Sequence, residues 1–177
     1  MEAQEDINFS YISPFNEPQW DWNSGGQEGS PAQNDEIAAA TKVIDELFSE
    51  RGLDTKIEIP EAAQFEFVYK DHHKSGRGSQ LDAFFNPISP NYLGDLKHVA
   101  PKIAAHSYYS TWPLDNFTTV RKEVAQAIQN NPVPIEFWMT EYCVLEDNDE
   151  VKGNGRDLGM NSALYTARVI FTDLVLA

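Results

Sequence analysis

The sequence holds a single cysteine, Cys143, so no intramolecular disulfide can form and no thiolate cluster can bind a metal. Long hydrophobic runs are missing as well. Nothing approaches the roughly 20 apolar residues of a membrane helix, and Met1-Glu2-Ala3-Gln4-Glu5-Asp6 lacks the basic and apolar regions of a secretion signal. Basic residues are scarce: 13 Lys and Arg stand against 28 Asp and Glu, for a net charge of −15. Such a surface repels phosphate backbones and anionic headgroups, which argues against nucleic-acid and membrane partners and leaves a neutral polymer unopposed. Gly-x-Gly-x-x-Gly and Gly-Lys-Ser/Thr loops are absent too, which disfavours a doubly wound nucleotide fold.

What is present is enough for one substantial core, with 41% of 177 residues hydrophobic. Residues 7–15 read as a strand and residues 18–31 as a Trp-, Gly- and Ser-rich loop. A helix is expected from Asn34 as cap to Gly52 as stop, with Ile37, Ala40, Ile44, Leu47 and Phe48 at helical spacing. Residues 56–61 form the second predicted strand, residues 69–78 a loop between short helical turns, and residues 91–99 a helix. Residues 102–108 make a third strand. Phe117, Val120, Val124 and Ile128 mark an amphipathic helix ended by Pro132. Residues 133–141 make a fourth strand, and a last helix from about Ser162 carries Leu164, Ala167, Phe171 and Leu174 on one stripe. The order β-α-β-α-β-α-β-α implies an α/β fold with a parallel sheet. Four βα units are half of a (β/α)8 barrel, so the chain reads as one incomplete segment of such a domain.

Two of these strands run apolar up to a carboxylate and then break into a polar or aromatic loop. One ends in Asn16-Glu17-Pro18 and the other in Thr140-Glu141. In a parallel barrel the C-terminal strand ends carry the active-site groups. Two carboxylates from two strand ends, facing one cavity, are what glycosidic bond cleavage requires. Asn16 either hydrogen-bonds a sugar hydroxyl or caps the turn before Pro18. His106 and Tyr108, two apart on a strand, share a face, where they either hold the second carboxylate and a hydroxyl or fill the interior. Trp20, Trp22 and Trp112 are stacking platforms or buried loop anchors, Glu28 and Glu61 candidate extensions of the sugar site. His72 and His73 beside Asp71 read as a solvated loop rather than a metal site.

Ile12-Ser13-Pro14-Phe15-Asn16-Glu17-Pro18-Gln19-Trp20-Asp21-Trp22 and Trp138-Met139-Thr140-Glu141-Tyr142 resemble the family 30 glycoside hydrolases, retaining enzymes built on a (β/α)8 TIM barrel. The resemblance implies that the chain spans barrel strands four to seven, with Glu17 as acid/base and Glu141 as nucleophile. His106-Ser107-Tyr108 and Pro60-Glu61 resemble the ends of strands six and five. It further implies a β-linked polysaccharide or oligosaccharide as substrate, no cofactor or metal, and a secreted or periplasmic location. Strands one to three and eight have no counterpart in the chain, so self-association or a missing remainder of the barrel is expected. The other open reading is a carbohydrate-binding or assembly-dependent module without catalysis of its own.

Overall fold

The structure, a computed structural model of the chain, describes residues 7–24, 26, 29–153 and 157–177. Strands and helices alternate: β1 (Tyr11–Ile12), α1 (Asn34–Arg51), β2 (Lys56–Ile57), α2 (Glu66–Tyr69), α3 (Gln80–Phe85), β3 (Lys102–His106), α4 (Leu114–Asn130), β4 (Glu136–Glu141) and α5 (Met160–Leu176). β1 pairs with β2 and β3 with β4, both in parallel. The segment after β2 continues alongside β3: Ala104 N–H donates to the Ile59 carbonyl at 3.0 Å, and Ala62 N–H to that of Ala104 at 3.1 Å. All strands therefore present their C-terminal ends on one side.

Local chemistry accounts for both ends of α1. The Glu36 carboxylate accepts the Gln33 backbone N–H at 2.7 Å, closing the first turn of α1. Gly52 ends it at φ 65°, a left-handed conformation that glycine adopts without strain. The cap is Gln33 rather than Asn34, whose side chain instead donates to the Gly78 carbonyl at 2.8 Å.

Three further expectations need correction. The strand foreseen over residues 7–15 shrinks to two residues, because it has a pairing partner on one side only; Phe9, Tyr11 and Ile12 remain between 44% and 48% exposed. Residues 91–99 form turns rather than a helix. Asp45 accepts the His98 N–H at 2.6 Å and the His98 ring meets the Thr55 carbonyl, so this segment is drawn across the end of α1. In α5 the buried stripe is Ser162, Tyr165, Val169 and Asp173, while Leu164, Phe171 and Leu174 face outward. The helix is apolar on both faces, and polar anchoring chose which one turned inward.

That anchor is Arg121. Fully buried on α4, it donates through Nε to Asp173 of α5 at 2.5 Å and through its other nitrogens to Ser107 Oγ and the carbonyls of Ser110 and Phe117. Its guanidinium also lies 3.9 Å from the centre of the Phe117 ring. Burial works against both charges, so the pair holds only because its hydrogen bonds replace water. The main core, around Ile37, Ile57, Phe65, Phe84 and Ile103, lies between the helices and the sheet and fixes the strand ends relative to one another. Asp173→Asn is expected to destabilise the chain by about 3 kcal/mol, as one half of a buried pair is left uncompensated. Val43→Ala, on the exposed side of α1, should change stability by less than about 0.5 kcal/mol. Urea denaturation of the two variants measures the contrast.

Candidate active site

The backbone brings several strand ends together before any side chain is considered. Glu17 N–H donates to the Glu61 carbonyl at 2.9 Å, and the Glu17 carbonyl accepts both the Trp20 N–H at 3.1 Å and the Trp22 indole at 3.2 Å. Gln19, fully buried, donates to the Arg77 carbonyl at 2.8 Å and accepts the Ala63 N–H at 3.0 Å, tying the first loop to the second. Glu17, Trp22, Glu61 and Tyr109 all have φ between 45° and 57°. Non-glycine residues avoid that region, and strain of this kind persists where the surroundings enforce it, commonly at functional sites.

Glu141 reaches the same place through a bulge. Ala105 of β3 pairs with Met139 of β4, but His106 pairs with Glu141, so Thr140 is left without a partner of its own. Along a regular strand, Thr140 and Glu141 would point to opposite faces. The extra residue turns both toward the strand ends, a common use of bulges beside active sites. Thr140 Oγ1 donates to Glu61, while Tyr108 O–H donates to Glu141 at 3.0 Å.

At the centre lies His106, 1% exposed. Its Nδ1 is 2.9 Å from Glu17 and 3.8 Å from Glu141, and its Nε2 is 3.3 Å from Glu61. Burial opposes a charge on the ring, but the hydrogen bonds it donates to Glu17 and Glu61, with the Glu141 charge nearby, raise its pKa to about 9. Glu61 is pushed up by its own burial, yet hydrogen bonds from His106, Ser13 and Thr140 outweigh this and hold it below the ordinary carboxylate range. Burial pushes the Tyr108 phenol well up, as do Cys143 and Glu141 beside it, so it stays a donor at neutral pH. Below the cluster, burial and the Glu61 charge lift Glu58 to about 6, against the pull of Lys102.

An open cavity of about 470 Å³ lies above, with Glu17, Trp20, Trp22, Tyr108 and Glu141 on its wall. A second of about 470 Å³ adjoins it through Tyr108, Tyr109 and Leu145 and includes Trp112. Of the expected site residues, six therefore line these cavities. Asn16, Glu61 and His106 do not: Asn16 is half-buried with its carbonyl accepting the Ser30 N–H at 3.4 Å, and the other two lie beneath the floor. Glu28 falls outside the described residues. His72 is half-buried with its ring edge on Phe67, an anchor rather than a freely solvated side chain. Ser13 and Thr140, which bond Glu61, and Tyr109 and Lys74, on the wall of the first cavity, carry no signal of their own in the sequence. Thr140 directly precedes Glu141, but only the bulge reveals its role.

Glu17, His106 and Glu141 offer three ligand atoms within 4.8 Å of one another, close enough to hold a cation. As an imidazolium, His106 has no lone pair to give, so a metal would first have to displace its proton.

The chain belongs to O-glycosyl hydrolase family 30, whose family model matches residues 2–177. It is similar to the crystal structure of a conserved exported protein from Bacteroides fragilis, at 30% identity and a TM-score of 0.86 over 97% of this chain. This chain spans 35% of that one. No match is found among curated proteins. Among the described residues no helix is long and apolar enough to cross a membrane.

The raised His106 pKa has a consequence for stability. A folded-state value of about 9 against about 6.5 in the unfolded chain adds stability that is fully present below pH 6.5. It is lost as pH rises through 9, about 3 kcal/mol at most. Denaturation midpoints should fall over this window in the unaltered chain, and the fall should be absent in His106→Gln.

Proposed function

We propose that this chain carries the acid/base and the nucleophile of a retaining β-glycosidase. One observation carries the reading: carboxylate oxygens of Glu17 and Glu141 lie within 4.8 Å of each other, and both residues line one open cavity. Retention needs carboxyl groups about 5–5.5 Å apart, whereas an inverting pair stands about 6.5–9.5 Å apart to admit a water. The proximity supports the former.

In this reading Glu17 gives its proton to the leaving glycosidic oxygen while the Glu141 carboxylate attacks the anomeric carbon. The carbon–oxygen bond to the leaving group breaks and a glycosyl ester forms on Glu141. Glu17, now ionised, takes a proton from water, whose oxygen attacks the same carbon and releases Glu141. Neither step needs a cofactor. Tyr108 orients the nucleophile through its 3.0 Å hydrogen bond. Trp20, Trp22 and Trp112, which line the two cavities, supply flat faces for sugar rings. The substrate is a β-linked polysaccharide or oligosaccharide. The exported relative supports a secreted or periplasmic setting.

The alternating parallel units and the extent of the structural likeness support a segment of a (β/α)8 barrel, strands four to seven. A second reading draws on the exposed apolar flanks, namely Ile7, Phe9, Tyr11 and Ile12 beside β1, and Leu164, Phe171 and Leu174 on α5. Surfaces of this kind mark association. The module then works only when further strands, from a longer polypeptide or a second copy, complete it.

Two experiments test these readings. In the catalytically active form, Glu141→Gln should lower kcat by about 10⁴-fold or more. Glu17→Ala should spare aryl glycosides with good leaving groups and slow poor ones by about 10²-fold or more. Equal losses on both would make Glu17 structural. For the 177 residues alone, light scattering coupled to size exclusion should show self-association, and aryl glycosides no turnover by a monomer. A stable, active monomer would contradict the partial-barrel reading.

A further inference from the structure

We infer that Glu61 is a positioning residue whose carboxylate serves His106 rather than a sugar hydroxyl, holding the imidazole against Glu17 from the far side of the ring. The inference rests on the reading of Glu17 as acid/base. One oxygen of Glu61 accepts Ser13 Oγ; the other accepts Thr140 Oγ1 and faces His106 Nε2 at 3.3 Å. These donors come from three different strand ends. The residue is 9% exposed and forms no part of either cavity wall. A carboxylate so occupied has little acceptor capacity left for a substrate and no open path to one.

The same residue also fixes Glu17 through the main chain. At φ 55° its carbonyl turns to accept the Glu17 N–H at 2.9 Å. Glu61 thus grips the acid/base twice, once at the backbone and once through the His106 ring. The ring geometry then sets a charge. A neutral imidazole has one N–H and can donate to one carboxylate; a ring placed between Glu17 at 2.9 Å and Glu61 at 3.3 Å donates to both only when doubly protonated. The groups that face His106 are Glu17 beyond β1, Glu61 beyond β2, Glu141 on β4 and Tyr108 in the turn after its own strand. Glu58 and Lys102 lie behind Glu61. Acidic neighbours dominate this set, so the ring keeps both protons, and Glu17 accepts the ring N–H at Oε1 while the proton that moves in the reaction sits on its other oxygen.

The test separates this role from a sugar contact and from a merely structural one. Nitrogen-15 NMR of the imidazole in the 177-residue chain should show both ring nitrogens protonated at pH 7.5. In Glu61→Gln the His106 midpoint should fall by about one pH unit or more, a tenfold loss of proton affinity. In the catalytically active form Glu61→Gln should lower kcat by about tenfold or more with KM nearly unchanged, and should displace the pH profile. Glu61→Asp should recover part of the loss. A rise in KM at constant kcat would make Glu61 a sugar ligand and overturn the inference, as would an unmoved His106 midpoint. If Glu61→Gln does not fold, the unaltered chain decides, and a singly protonated His106 at pH 7.5 overturns it. If glycosidase activity is never found while the NMR results hold, the clamp stands and the acid/base reading of Glu17 falls.

Discussion

The hydrogen bonds of His106 to Glu17 and Glu61 organise the centre of this molecule. Without a cation between them, buried carboxylates at adjacent strand ends would repel one another in a medium that screens poorly. The imidazolium removes that repulsion and fixes geometry at once, since both ring nitrogens are bound. The bulge that re-aims Glu141 and the left-handed backbones at Glu17 and Glu61 give these groups a common centre. Local strain of order 1–3 kcal/mol at each such position is tolerable because the surrounding hydrogen bonds and packing over-determine the conformation.

Below this polar layer the interior grows steadily less forgiving. Glu58 and Lys102 are buried, and the Lys102 amine lies between the Tyr11 and Trp138 rings. Ring faces can meet a cation without hydrogen bonds, so this layer carries charge without water. On the outer side, Arg121 performs a comparable task, linking α4 to α5 through Asp173. Both charged groups hold elements in one register, and both depend on partners distant in sequence.

What could be read from the sequence follows from this division. The motif around Glu17, the run ending at Glu141 and the pair His106 and Tyr108 stand out because chemistry at a strand end needs particular residue types over a few positions. Helix α4 was legible from Phe117, Val120 and Val124, whose spacing has one apolar face. Helix α5 was found, but its inward face was not, because Leu164 and Phe171 are as apolar as Tyr165 and Val169. The helix foreseen over residues 91–99 lost to Asp45 and Thr55, partners that no local pattern announces. Thr140 and Ser13 were invisible for the same reason: their value lies in meeting Glu61, a contact created by strand register. Sequence periodicity records faces and ends, whereas register is decided between segments.

In the proposed reaction Glu17 and Glu141 act on one anomeric carbon by two successive displacements. The stereochemistry of the first-formed product tests it most directly. With an aryl β-glycoside and the catalytically active form, proton NMR should show the β-anomer appearing first, followed by slow mutarotation. An α-anomer appearing first would mean a single displacement by water and would contradict the assignment of Glu141 as nucleophile.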